Sequence, residues 1–262
     1  EAPGTDIWHK RAIIQFQDCS LRYEKFPYPL NGVFGTAELN DETWTFHEDL
    51  QGVNDTGRIT CRGGITPGPE GSLLALSIHG ENVPIDEELC NALSPGAQRL
   101  WNDMKPRGLV RLDSEVRFNI RDKVLHTTIR AEPVGDTVSI EPTYFPYRLE
   151  KLHGVYSFAD GRLQMDGIRC EHGETQISAS GECLIDPNGG WRLDLQRMFV
   201  DRLAVDRDLL NALPEALKKP TTMLEPTGRF NLRGNIALAG SGVPGQPLAA
   251  DWNLTIDCHN NS

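Results

Sequence analysis

"SLRYEKFPYPLNGVFG" at residues 20–35 returns as "SIEPTYFPYRLEKLHG" at residues 139–154. Six of sixteen positions are identical: Ser20/Ser139, Phe26/Phe145, Pro27/Pro146, Tyr28/Tyr147, Leu30/Leu149 and Gly35/Gly154. The register persists downstream. "GRITCRGGI" (57–65) aligns with "TQISASGEC" (175–183), "SLLAL" (72–76) with "WRLDL" (191–195), and "RGLVRL" (107–112) with "TGRFNL" (227–232). "DEELCNAL" (86–93) and "DRDLLNAL" (206–213) share five of eight residues. The offset stays between 118 and 120 throughout, which marks an internal duplication. The expected organisation is a first unit over 1–119, a second over 120–240, and a linker with the start of a third over 241–262, because "WNLTIDC" from Trp252 resembles the strand that opens each unit.

Within each unit the pattern is period two, the signature of half-buried strands. In "RITCRGGI" the residues Ile59, Cys61, Gly63 and Ile65 share a face; in "SLLAL" Leu74 and Leu76 do. In the second unit the same face takes Ile177, Ala179, Gly181, Cys183 and Ile185, then Leu193 and Leu195, then Phe230, Leu232, Gly234, Ile236 and Leu238. "LNDE", "TPGPEG", "ADGR" and "DPNGG" supply turns. The class is mostly β: tandem antiparallel meanders, each with one apolar face. One helical insertion interrupts each unit, near 85–104 and near 205–219, with Asp86 and Asp206 as N-caps and Pro95 and Pro214 as breaks. "FPY" reads as a proline-fixed extended joint leading into the first long strand of each unit.

The chain has 262 residues, 39% of them hydrophobic, enough for one or two domains with a real core. It holds no apolar run long enough for a membrane-spanning helix. The opening "EAPGTDIW" and closing "LTIDCHNNS" are expected to be cut points within a longer protein, with any targeting or membrane-anchor segment outside this stretch. A net charge of −11 with dispersed Lys and Arg argues against a nucleic-acid surface. The six cysteines (19, 61, 90, 170, 183, 258) form no CxxC pair. They read as small buried hydrophobes, with one or two disulfides in an oxidising compartment as the alternative.

No nucleophile elbow, phosphate loop, HExxH or dinucleotide fingerprint occurs, so no catalytic residue, cofactor site or metal site is assigned. None of the seven histidines has another three or four residues away, and they do not repeat: His47 aligns with Asp166, and His153 with Phe34. Glu171, His172 and Glu174 read as a solvated turn, and "DEE" (86–88) and "DRD" (206–208) as helix starts favoured by the macrodipole. "NDT" (54–56) and "NLT" (253–255) match the short glycosylation pattern.

The stretch "LHGVYSFADGRLQMDGIRCEHGETQISASGE" alternates strand, tight turn, strand and glycine turn. It resembles the AsmA/TamB-like bacterial envelope proteins, over most of 26–65 and 145–185 and the later strands near 107–120 and 227–240. The resemblance implies an elongated, curved, U-shaped sheet of the repeating β-groove, bridge-like lipid-transfer kind. It implies periplasmic or envelope location, anchoring by a segment not present here, a role in lipid transport or outer-membrane biogenesis, and no enzymatic activity. The partner implied is a phospholipid or other acyl lipid, with other envelope proteins as further partners. The helical insertion departs from the simplest family pattern and leaves open whether the apolar face is covered. The groove would be lined by Ile59, Cys61, Ile65, Leu74, Leu76, Ile177, Ala179, Cys183, Leu193, Leu195, Phe230, Leu232 and Ile236. The alternative is a structural or adhesive β-repeat, its apolar face sealed by the helices and its outer face binding protein or glycan. An enzyme on a parallel β-helix fits poorly, because rungs of roughly 20–30 residues are far shorter than this repeat.

Overall fold

The computed structural model describes residues 9–24, 26–187, 189–224, 228–241, 243, 246 and 248–257. Fourteen antiparallel strands form one meander sheet: β1 (Arg11–Tyr23), β2 (Phe26–Asn40), β3 (Thr43–Phe46), β4 (Gln51–Asn54), β5 (Gly57–Thr66), β6 (Leu73–Pro84), β7 (Leu109–Asn119), β8 (Val124–Pro133), β9 (Glu150–Ala159), β10 (Arg162–His172), β11 (Thr175–Ile185), β12 (Trp191–Ala204), β13 (Arg229–Gly240) and β14 (Ala249–Asp257). Strands hydrogen-bond in sequence order, except that β3 pairs with β5 while the short β4 pairs with both β2 and β5. Among the described residues there are four helices: α1 (Glu87–Ala92), α2 (Pro95–Met104), α3 (Arg207–Ala212) and α4 (Glu215–Leu224). The mostly β, antiparallel class read from the alternation is therefore the class of the structure.

Element order follows the sequence repeat. The bounds of α1 and α3, and of α2 and α4, differ by 120 residues at both ends. Each insertion is two helices rather than one, because Ser94–Pro95 and Pro214 break the chain between them. Asp86 and Asp206 act as matching N-caps: the amide N–H groups of Leu89 and Leu209 donate to their Oδ1 atoms at 2.9 and 2.8 Å. β3 and β4 correspond to the single strand β10, whose register shifts between Met165 and Ile168. The bulge of the second copy is thus a full break in the first, where His47–Leu50 loop out between two short strands. The tight β9–β10 turn has Asp160 and Gly161 both at positive φ, which a two-residue hairpin loop favours.

By contacts the chain divides into two compact units, Glu1–Val83 with Leu112–Ile129, and Pro84–Arg111 with Arg130–Ser262. The sequence repeat places boundaries at 119 and 240; the compact division instead places helices α1 and α2 of the first copy in the second unit. In that unit α2 packs on sheet residues: Leu100 and Met104 lie against a core of Met165, Cys183 and Trp191. Helix α3 packs Leu209 and Ala212 on the buried Tyr147.

The "FPY" joint differs between the copies in backbone but not in ring geometry. Phe26 begins β2 itself, whereas Phe145–Tyr147 precede β9. The ring centroids of Phe26 and Tyr28 stand 6.2 Å apart and those of Phe145 and Tyr147 5.6 Å, tilted by 44° and 49°. Tyr28 and Tyr147 are both buried, so neither tyrosine offers an exposed aromatic platform.

Candidate functional site

Residues directly opposite each other in an antiparallel pair share a face, so the register shows which side chains line up across the sheet. In the first unit Ile65 faces Leu74, Gly63 faces Leu76, and Ile59 faces Gly80 across β5 and β6. Two rows continue toward β1. One runs Ala12, Leu39, Trp44, Ile65, Leu74; the next runs Ile14, Ala37, Phe46, Gly63, Leu76. Cys61, opposite Ile78, lies on the same face. The five candidates of this unit are therefore one surface. Among the described residues this unit contributes no helix.

In the second unit the rows are longer. The first is Phe158, Leu163, Cys183, Leu193, Leu238, Ala250, and the second is Tyr156, Met165, Gly181, Leu195, Ile236, Trp252. Cys170, Ile177, Val200, Leu232 and Ile256 form another. Between these, Ile168 faces Ala179 on one side while Met198, Gly234 and Leu254 align on the other. Phe230 stands at the far end opposite Leu203, which packs toward the Tyr147 and Leu209 cluster. All eight candidates of this unit share the apolar face.

The helices cover its two ends differently from its middle. The Trp191 end lies under α2, where the indole N–H donates to the Asp103 carboxylate at 3.1 Å. The Leu203 end meets α3 and the Phe145–Tyr147 joint. Between them, Ala179, Met198 and Val200 pack with Ile168, Ile177, Leu203, Leu232, Ile236 and Leu254, sheet residues all. Same-face neighbours on adjacent strands bury this middle stretch; no helical residue joins the cluster among the described residues.

Met165 is in phase with Leu163 but is not among the candidates, whereas Met198 and Val200 fall out of phase with Leu193 and Leu195. Strand β12 runs inward at Leu193 and Leu195, then resumes at Met198 and Val200, because a bulge at Gln196–Arg197 inserts one extra residue. Arg197 sits at φ +51°, the left-handed region. The usable signal is a polar pair interrupting an apolar alternation, and Asp166–Gly167 in β10 shows the same sign. At the β12 bulge a shallow cavity of about 410 Å³ is lined by Arg197, Met198, Phe199, Arg233, Gly234 and Asn235. The Arg233 guanidinium lies 5.2 Å above the Phe199 ring.

Only part of the Glu171, His172 and Glu174 cluster is a solvated turn: Glu174 lies exposed in the β10–β11 turn, whereas Glu171 and His172 are half-buried at the end of β10. The His172 ring stacks on Tyr147 at 3.9 Å, and its Nδ1–H donates to the Arg148 carbonyl at 2.7 Å. Glu171 pairs with Lys151, and Glu174 with Arg229. The two His172 contacts hold the second "FPY" joint against β10. Asn54 of the "NDT" match is buried and donates to the Pro29 carbonyl at 2.9 Å, which removes it as a surface acceptor.

Cys19, Cys61, Cys90, Cys170 and Cys183 are free thiols; Cys258 lies outside the described residues. Burial pushes the Cys170 thiol up to about 12 and those of Cys61 and Cys183 to about 11, so they stay protonated and inert at neutral pH. Among the described residues no group of three or more His, Cys, Asp or Glu side chains is placed to hold a metal ion, and no helix is long and apolar enough to cross a membrane. No family model, curated protein or solved structure matches the chain.

Proposed function

We propose that this chain is a lipid-handling β-repeat segment, similar to the AsmA/TamB-like envelope proteins, whose apolar sheet face shields acyl chains while head groups stay in water. It acts by binding rather than by catalysis, in the periplasm or cell envelope, during lipid transport or outer-membrane biogenesis. The observation that carries the reading is the set of apolar rows crossing β9–β14, with the middle around Met198 walled, among the described residues, by sheet residues alone. An acyl chain laid along such a face gains about 0.8 kcal/mol for each buried CH₂, without needing a specific polar contact. Native mass spectrometry of the gently purified chain tests it. Adducts with phospholipid masses, retained from cells or taken up on addition, are expected. A clean lipid-free mass under added phospholipid sinks the reading.

A second reading has its own support. Helices α2 and α3 cover both ends of the same face. A structural or adhesive repeat, sealed by its helices and binding protein or glycan through its polar face, would also look so. It predicts no lipid uptake and full protection of Met198 from aqueous oxidants.

A further inference from the structure

The duplication supplies a control for one place on the polar face. His79 of β6 stands opposite Thr60 of β5, and Phe199 of β12 stands opposite Ser178 of β11. These are the same positions in the two copies, 120 residues apart on one strand and 118 on the other. In the first copy the place is closed by its own charges. The His79 Nδ1 lies 2.6 Å from the Asp113 carboxylate of β7, and Glu81 lies 3.7 Å from its Nε2. In the second copy Arg233 stands where Asp113 does, and Phe199 where His79 does. An imidazole–carboxylate pair is thus replaced by a guanidinium 5.2 Å above a ring.

Two further cations belong to the second copy alone. Arg169 of β10, opposite Ser178, stands where the first copy has Gln51 opposite Thr60. Arg197 comes with the bulge of β12, whereas β5 and β6 pair without a shift from Arg58 and Glu81 to Thr66 and Leu73. Around them Arg148, Arg162, Arg192, Arg202 and Arg229 each pair with a carboxylate. Arg169, Arg197 and Arg233 have no carboxylate partner among the described residues. The β12 carboxylates to either side, Asp194 and Asp201, are held by Arg192 and Arg202. On β14 the residues opposite Arg233 and Asn235 are Thr255 and Asn253, both neutral and exposed.

We propose that the cavity at the β12 bulge, lined by Arg197 and Arg233, is a binding site for a phosphate ester. A guanidinium stacked on a ring keeps its N–H edge free, and two such forks match the oxygens of a phosphate. The Asn235 Oδ1 accepts the Arg197 amide N–H at 3.1 Å, which leaves the Asn235 Nδ2 donors for a ligand. At about 410 Å³ the cavity falls within the range of roughly 300–1,000 Å³ usual for small molecules. It therefore has room for the alcohol half of the ester, against Phe199. Phe199 and Arg233 alternate with Met198, Val200 and Leu232 and so lie on the face away from the apolar rows. The site stands or falls separately from acyl-chain binding.

The test is amide NMR of the whole chain, titrated with glycerol 1-phosphate at fixed ionic strength. Saturating shifts at Arg197, Gly234 and Asn235 are expected. Arg233→Asp, which installs the residue of the first copy, should raise the dissociation constant at least about tenfold. So should Arg197→Gly, since glycine accepts the φ of +51° at that position. Arg162→Ala removes a cation that is paired with Glu182, and should change the constant less than about twofold. Flotation with phosphatidylglycerol vesicles, lost on Arg233→Asp, would assign the ester to a lipid head group. Glycerol 1-phosphate binding without flotation would assign it to a soluble ester, and both outcomes support the site. No saturating shift at these residues overturns the proposal. So do equal shifts with sodium acetate, equal weakening by Arg162→Ala, or inorganic phosphate bound as tightly as the ester.

Discussion

The indole N–H of Trp191 donates to the Asp103 carboxylate at 3.1 Å, joining residues 88 apart in sequence. A helix that belongs to the first repeat by sequence is thereby fastened to a strand of the second. Trp191 is buried, so its N–H has no route to water once the carboxylate is removed. Asp103→Ala should lower unfolding free energy by about 1–3 kcal/mol, the cost of a buried donor left without an acceptor. Asp103→Asn keeps an acceptor oxygen and should lose less than about 1 kcal/mol. Urea denaturation at neutral pH separates the two.

A pair of glycines tests whether the two copies share one packing rule. Gly63 and Gly181 lie in equivalent rows of the two repeats, opposite Leu76 and Leu195. A Cβ at Gly63 would overlap the Ala75 carbonyl, and one at Gly181 the Asp194 carbonyl. Both neighbours are backbone on the adjacent strand and cannot rotate away. Gly181→Ala should therefore lower stability by roughly 1–3 kcal/mol on steric grounds alone. Gly63 also has φ +142°, so Gly63→Ala adds backbone strain and should lose more. Gly135 has φ +56° and open space around it, so Gly135→Ala reports left-handed strain alone, about 1 kcal/mol. Denaturant midpoints in that order support the close-approach reading; a Gly181→Ala midpoint at wild type refutes it.

The rows were legible because alternation is local. Ile59, Ile65, Leu74, Ile177, Cys183, Leu193 and Ile236 each sit where period two puts them. Legibility stopped at the bulges, where one extra residue reverses the phase, so Met198 and Val200 dropped out of the pattern although both are buried. The destination of the helices was not legible at all. Each carries an apolar side and a cap in its own sequence, but nothing local says that Leu100 and Met104 meet Trp191 rather than strands of their own repeat. His172 was misread for a related reason: its partners, Tyr147 and Arg148, come from the joint rather than from its own hairpin.

Buried thiols predict alkaline sensitivity with a definite sign. Burial disfavours the thiolate and pushes the Cys170 thiol up to about 12 and those of Cys61 and Cys183 up to about 11, against 9 for an ordinary thiol. Their folded pKa values are raised, so the stability they contribute is complete below about pH 9. It is lost as pH rises through 9 toward 11 and 12, where the unfolded chain sheds protons that the folded one holds. The melting temperature should fall over that window, and the fall should shrink in a Cys61→Ala, Cys170→Ala, Cys183→Ala chain. At pH 8, Ellman's reagent should label exposed Cys19 quickly and Cys170 and Cys183 only at the rate of unfolding.

Lipid binding is best probed at a residue whose loss the fold tolerates. Ile256 lies on the apolar face, opposite Leu232, and is 63% exposed at the end of its row. The substitution Ile256→Lys puts a charge on that face without opening a cavity, so the melting temperature should stay within about 2 °C of wild type. If acyl chains lie along the rows, affinity for a fluorescent fatty acid or phospholipid should weaken about tenfold, the apolar contact of one side chain. Asn253 is exposed on the same strand and points to the other face, opposite Asn235, so Asn253→Lys carries the same charge to the polar side. It should leave binding unchanged. Equal weakening by both lysines would mean the probe senses net charge rather than the groove. Full binding by Ile256→Lys would remove β14 from any lipid path and favour a face sealed by its helices.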